Sequence, residues 1–97
     1  MSVPISRIGD NCTGHSSFPP RPLIEGSEDF IVDYQPASRV GDNLRSHASP
    51  SPSPPHGGVI AEGSQTYIIN GQPAARIGDP VSCGSAMAQG CGTFIVG

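Results

Sequence analysis

TYIINGQPAARIGD, residues 66–79, decides the fold: a short apolar run, then Gly-Gln-Pro, two alanines and Arg-Ile-Gly-Asp. The same order recurs as DFIVDYQPASRVGD at residues 29–42. Phe30 then matches Tyr67, Gln35-Pro36 matches Gln72-Pro73, and Arg39, Gly41 and Asp42 match Arg76, Gly78 and Asp79. A third copy is divided between the ends of the chain, its strand half TFIVG at residues 93–97 and its turn half VPISRIGD at residues 3–10. Nine residues separate Phe30 from Arg39 and nine separate Tyr67 from Arg76; passing from Phe94 through the last residue to the first and on to Arg7 takes ten. Internal repetition outranks other sequence signals in setting an architecture. Because the termini complete one unit between them, the three units close into a ring rather than an open solenoid. The expected units are residues 1–22 joined with 90–97, residues 23–58 and residues 59–89.

Ninety-seven residues make one domain, near the size at which a hydrophobic core alone is marginal. Leu, Ile, Val and Phe supply 20 residues, while 13 Gly and 11 Pro bring the chain close to the composition of a disordered segment. Periodic strand patterns argue against disorder but leave the core thin, so a metal, disulfides or a partner is needed to hold it. A net charge of −3 with 5 basic residues gives no footprint for nucleic acid. No apolar run is long enough to span a bilayer. The start, MSVPISRIGD, lacks the regions of a signal peptide, so synthesis in the cytoplasm is expected. Three cysteines, an odd number, fit metal ligation better than a disulfide framework.

The longest window free of Gly and Pro is nine residues, 27–35, and it reads as a strand through Phe-Ile-Val, so no useful helix fits. Phe30 and Val32, Tyr67 and Ile69, and Phe94 and Val96 share one face of their strands, with Ile31, Ile68 and Ile95 on the other. The fold is expected to be all-β. Residues 23–26 (LIEG) and 59–63 (VIAEG) resemble one another, whereas the third unit offers only Ala88-Gln89-Gly90 at that place. Arg-x-Gly-Asp stands at Arg7, Gly9 and Asp10, at Arg39, Gly41 and Asp42, and at Arg76, Gly78 and Asp79. In each copy Gly takes a backbone conformation other residues resist, Asp hydrogen-bonds the backbone, and Arg pairs its head while its stem covers apolar surface. Residues 46–55, SHASPSPSPP, read as a low-complexity linker between two histidines.

His15 lies eight residues after Arg7, His47 eight after Arg39, and Cys83 seven after Arg76. About a threefold axis these three side chains come to one end, and His56, on the return of the long loop, can add a fourth. Three imidazoles and a thiolate suit one tetrahedral Zn²⁺, and four protein ligands leave no open position, which makes the ion structural; iron is the alternative metal. Cys12 is a competing ligand, Cys91 a small buried residue, and a Cys12–Cys91 disulfide stays open. Two other functions fit such a site: a zinc-binding or zinc-sensing module, and a small zinc hydrolase built on Cys83 and His56.

Gln72-Pro73-Ala74-Ala75-Arg76-Ile77-Gly78-Asp79 resembles the Pro-Ala-Ala-Arg motif for which PAAR-repeat proteins are named, and Pro36-Ala37-Ser38-Arg39 and Pro4-Ile5-Ser6-Arg7 look like degenerate copies. The resemblance covers essentially the whole chain, including Pro55-His56-Gly57-Gly58 and the last strand, although His15 is followed by Ser16-Ser17 rather than by glycines. It implies a small pseudo-threefold cone of short strands and extended loops, stapled at its apex by zinc on three His and one Cys, by position His15, His47, His56 and Cys83. It implies a structural role without catalysis or small-molecule substrate. The chain would cap a trimeric β-helical spike, VgrG-like or a phage central spike, one chain per trimer, and touch a target membrane transiently. Its place would be a phage tail tip or the secreted spike of a type VI system, as a bare tip without an appended toxin. Ile31, Ile68 and Ile95 are the candidate contacts with the spike.

Overall fold

The computed structural model describes residues 2–15, 18–47 and 56–97. Among them there is no helix, and all regular structure is short strand: β1 Val3–Ile5, β2 Ile31–Val32, β3 Gln35–Pro36, β4 Asn43–His47, β5 His56–Val59, β6 Ile68–Ile69, β7 Gln72–Pro73 and β8 Cys91–Val96. Gly and Pro interrupt the chain too often for longer elements. Four antiparallel pairs result, β1 with β8, β2 with β3, β4 with β5 and β6 with β7. The pair that joins the two ends of the chain is the counterpart of the two local hairpins. Ile95 faces Pro4 as Ile31 faces Pro36 and Ile68 faces Pro73.

The threefold relation is carried by backbone hydrogen bonds that run in closed circuits. Ser6 N donates to Ala75 O, Ala75 N to Ser38 O and Ser38 N to Ser6 O, at 2.9, 2.9 and 3.0 Å. Isolated bridges repeat the rule, pairing Arg7 with Ala37, Arg39 with Ala74 and Arg76 with Ile5. Each unit therefore satisfies its buried peptide groups on the next, and no single unit has its partners at hand. Gly26, Gly63 and Gly90 keep these contacts close: a β-carbon on them would lie 2.9, 2.5 and 2.7 Å from the carbonyl oxygens of Ala37, Ala74 and Ile5.

Side chains follow in sets of three. Phe30, Tyr67 and Phe94 meet edge to face with centroids 5.7–5.8 Å apart, a favoured aromatic arrangement. They pack on a buried cluster of Ile5, Val32, Ala37, Ile69, Ala74, Cys91 and Val96. A second cluster holds Cys12, Leu23, Leu44, Ile60, Ala75, Val81 and Met87, with Cys83 packed against it. Met87 fills the third position of the Leu23 and Ile60 set: its amide donates to Asp79 O as theirs do to Asp10 O and Asp42 O. The weak third match around Ala88 thus has a full structural counterpart one residue earlier. The segment 23–26 forms no strand, only the bridge from Leu23 to Leu44. The β4–β5 pair is an addition to the expected strands, and residues 48–55 of the linker lie outside the described residues.

Candidate metal centre

The three Arg-x-Gly-Asp segments form the same turn. Gly9, Gly41 and Gly78 have φ of 95°, 94° and 91°, which L side chains rarely adopt. Each Asp Oδ2 accepts the backbone N–H of its Arg, at 2.8, 2.8 and 2.7 Å, and also pairs with the guanidinium. Arg39 and Arg76 reach both carboxylate oxygens, and the hydrogen bond to Asp42 or Asp79 holds each guanidinium above its ordinary pKa. Arg7 binds Asp10 through Nε at 3.4 Å and turns Nη1 toward the carbonyls of Val32 and Asp33.

These turns launch the segments that carry the candidate ligands. Two residues beyond each Asp stands a buried apolar side chain: Cys12, Leu44 and Val81. Cys12 is therefore a core residue, with its sulfur accepting Arg21 N–H at 3.4 Å. Three residues further on come His15 and His47, and two further on comes Cys83. One ligand atom from each of these three lies within 4.8 Å of the others. A tetrahedral ion with Zn–N of about 2.0–2.1 Å and Zn–S of about 2.3 Å would set them roughly 3.3–3.6 Å apart. The donor set and its spacing fit one such ion with a small contraction.

His47 Nδ1 lies 2.8 Å from Pro19 O. A carbonyl only accepts, so Nδ1 carries the proton and the ring lone pair sits on Nε2, the arrangement that a metal-binding imidazole uses. The His15 and His47 ring centroids are 5.0 Å apart. His56 opens β5 opposite His47; its side chain lies outside the described residues. All three cysteines are free thiols, and Cys12 and Cys91 belong to different clusters, which removes the disulfide.

Phe18 escaped the sequence reading. It stacks on His15 and tilts against His47, with centroids 5.0 Å from each. A signal was available in the pattern His15-x-x-Phe18, where an aromatic follows a candidate ligand inside a proline-rich segment.

On strands whose buried neighbours Val32, Ile69 and Val96 belong to the first cluster, Ile31, Ile68 and Ile95 are 53%, 54% and 49% exposed, nearly equal, as equivalent positions require. Compared with known protein families, the chain matches the family described as PAAR motif over residues 50–97. That span holds the third Arg-x-Gly-Asp turn, His56 and Cys83. No curated protein matches the chain.

Proposed function

The chain belongs to the PAAR-motif family, a family of structural spike tips in contractile injection machines, and from that premise we propose that it caps a trimeric β-helical spike and is driven with it into a target envelope. The observation that carries this reading is the closed threefold circuit of backbone bonds through Ser6, Ser38 and Ala75. A single chain with three near-equivalent faces can satisfy three identical spike chains at once, which a chain without that symmetry cannot. The contacts we assign are Ile31, Ile68 and Ile95, whose half-exposed side chains recur on the outer faces of three matched strands.

A tip that transmits force has to resist unfolding with a core of about a fifth Leu, Ile, Val and Phe. One Zn²⁺ on His15, His47, Cys83 and His56 would tie loops from all three units together. Structural zinc supplies roughly 10–16 kcal/mol of apparent binding free energy in small peptides, as much as the whole net stability of an ordinary domain, about 5–15 kcal/mol.

Two measurements test this. Co-purification with the trimeric spike should survive in the wild type and vanish in the Ile31→Asp, Ile68→Asp, Ile95→Asp triple variant, while metal content stays at one ion per chain. Emission spectroscopy should find that ion absent from His47→Ala and Cys83→Ala. Undiminished spike binding by the triple variant would refute the assigned face, and a metal-free wild type would refute the ion.

A further inference from the structure

We infer that residues 18 and 19 form a strap that sets both described imidazoles for the ion, with Phe18 as a positioning residue; this rests on the metal-binding reading above. Three observations converge on it. The Phe18 ring lies 5.0 Å from the His15 ring at 27° and 5.0 Å from the His47 ring at 40°, so one phenyl face and edge restrain both. The backbones of His15 and Phe18 exchange hydrogen bonds, N to O at 3.0 Å and 2.8 Å, which fixes the ring pair in register. The carbonyl of the next residue, Pro19, accepts the hydrogen bond from His47 Nδ1–H, so the same strap sets both the orientation and the tautomer of that ligand.

The strap is itself held rigidly. Gly14 has φ +73°, and a β-carbon there would stand 2.6 Å from Phe18 O and 2.9 Å from Pro19 C. Only glycine lets the chain fold back so closely. Pro19, Pro20 and Pro22 then restrict the backbone that follows. Among the described residues Phe18 is packed against neither of the two buried apolar clusters, while its ring meets both imidazoles. A pair of imidazoles already placed loses little freedom when the ion binds, and outer groups of this kind typically change metal affinity about 10–100-fold.

The test compares wild type, Phe18→Ala, Phe18→Leu and Phe18→Tyr for zinc release into an excess of a chromogenic chelator, for Co²⁺ absorption, and for melting of the metal-free chain. Phe18→Ala should release zinc at least about tenfold faster, within the range expected of such outer groups. The sulfur-to-cobalt charge-transfer band should persist, because the ligands are unchanged. Phe18→Tyr should restore slow release. Phe18→Leu, which keeps apolar bulk but has no flat face, should resemble Phe18→Ala and covers the case in which the alanine variant fails to fold. A packing role alone would lower the melting temperature of metal-free and loaded protein equally; positioning predicts a loss confined to the loaded form. Wild-type release rates in Phe18→Ala and Phe18→Leu would overturn the inference and leave the metal site standing. A wild-type chain that takes up neither zinc nor cobalt would overturn both.

Discussion

Gly58 shows how closely single atoms are constrained around the candidate ligands. A β-carbon there would sit 2.8 Å from Val81 Cγ1 and 3.2 Å from Cys83 Sγ, whereas one on Gly57 would come no nearer than 3.4 Å, to Ser46 Oγ. Neither residue has a positive φ, so an alanine at either tests space alone. Gly58→Ala is expected to push Cys83 off its position and weaken zinc affinity about tenfold or more, while Gly57→Ala stays near wild type; a chelator competition titration decides it. Cys91 offers a second residue-level case. It occupies the place of Ser27 and Ser64, whose hydroxyls each accept two backbone N–H groups, those of Asp29 and Phe30 and those of Thr66 and Tyr67. Its own sulfur is hydrogen-bonded by Thr93, which draws the thiol below its ordinary pKa. Cys91→Ser should keep one zinc per chain and hold or raise the urea unfolding midpoint, because a hydroxyl makes the stronger hydrogen bonds that Ser27 and Ser64 make at the equivalent places.

The two local hairpins compare two solutions to one turn. Asn70-Gly71 closes β6 and β7 with φ of 52° and 80°, the Asn-Gly pair that such mirror-image turns favour. Asp33-Tyr34 closes β2 and β3 in the same conformation, with Tyr34 at φ 72° and 92% exposed. A bulky side chain in that region costs about 1–2 kcal/mol, and its exposure shows no burial to offset it. Tyr34→Gly should raise the melting temperature by roughly 4–8 °C per kcal/mol recovered, and Gly71→Tyr should lower it by a like amount; scanning calorimetry reads both. At this scale the sequence was informative wherever spacing stayed constant. Arg-x-Gly-Asp with its following His or Cys keeps register to within one residue, so the turns and the approach of His15, His47 and Cys83 could be read directly. The Leu23, Ile60 and Met87 layer could not be, because 14, 19 and 9 residues separate its members from Gly9, Gly41 and Gly78. Intervening segments of unequal length erase the linear period, while the amides of Leu23, Ile60 and Met87 keep equivalent partners in Asp10, Asp42 and Asp79. Phe18 was hidden for another reason: the pattern His15-x-x-Phe18 marks only one of its partners, and its contact with His47 comes from a distant loop.

At the scale of the molecule, closure has two consequences that separate stapling from connectivity. Removing the ion should leave three units joined by thin core layers, so chelation is expected to lower the melting temperature by about 20 °C or more, and adding zinc back should restore it. Connectivity should matter far less. The β8–β1 pair is the structural counterpart of the hairpins β2–β3 and β6–β7, with Ile95 and Pro4 in the places of Ile31 and Pro36. The open side of the β8–β1 pair, beyond Val3 and Val96, therefore corresponds to the turns of the other two pairs, and a tip is where a chain tolerates rearrangement best. A permutant of residues 1–97 in which Gly97 is joined to Met1 through a short glycine linker and the chain is opened between Asn70 and Gly71 should fold with the same far-ultraviolet spectrum. It should bind one zinc and bind the spike within about threefold of the parent, a difference under 1 kcal/mol. Opening the chain instead between Ser38 and Arg39, inside the circuit that links Ser6, Ser38 and Ala75, should abolish folding, since the ends would carry charge into a fully buried layer. Equal behaviour of the two permutants would mean that the ring is held by its core alone, and that the circuit of backbone bonds is incidental.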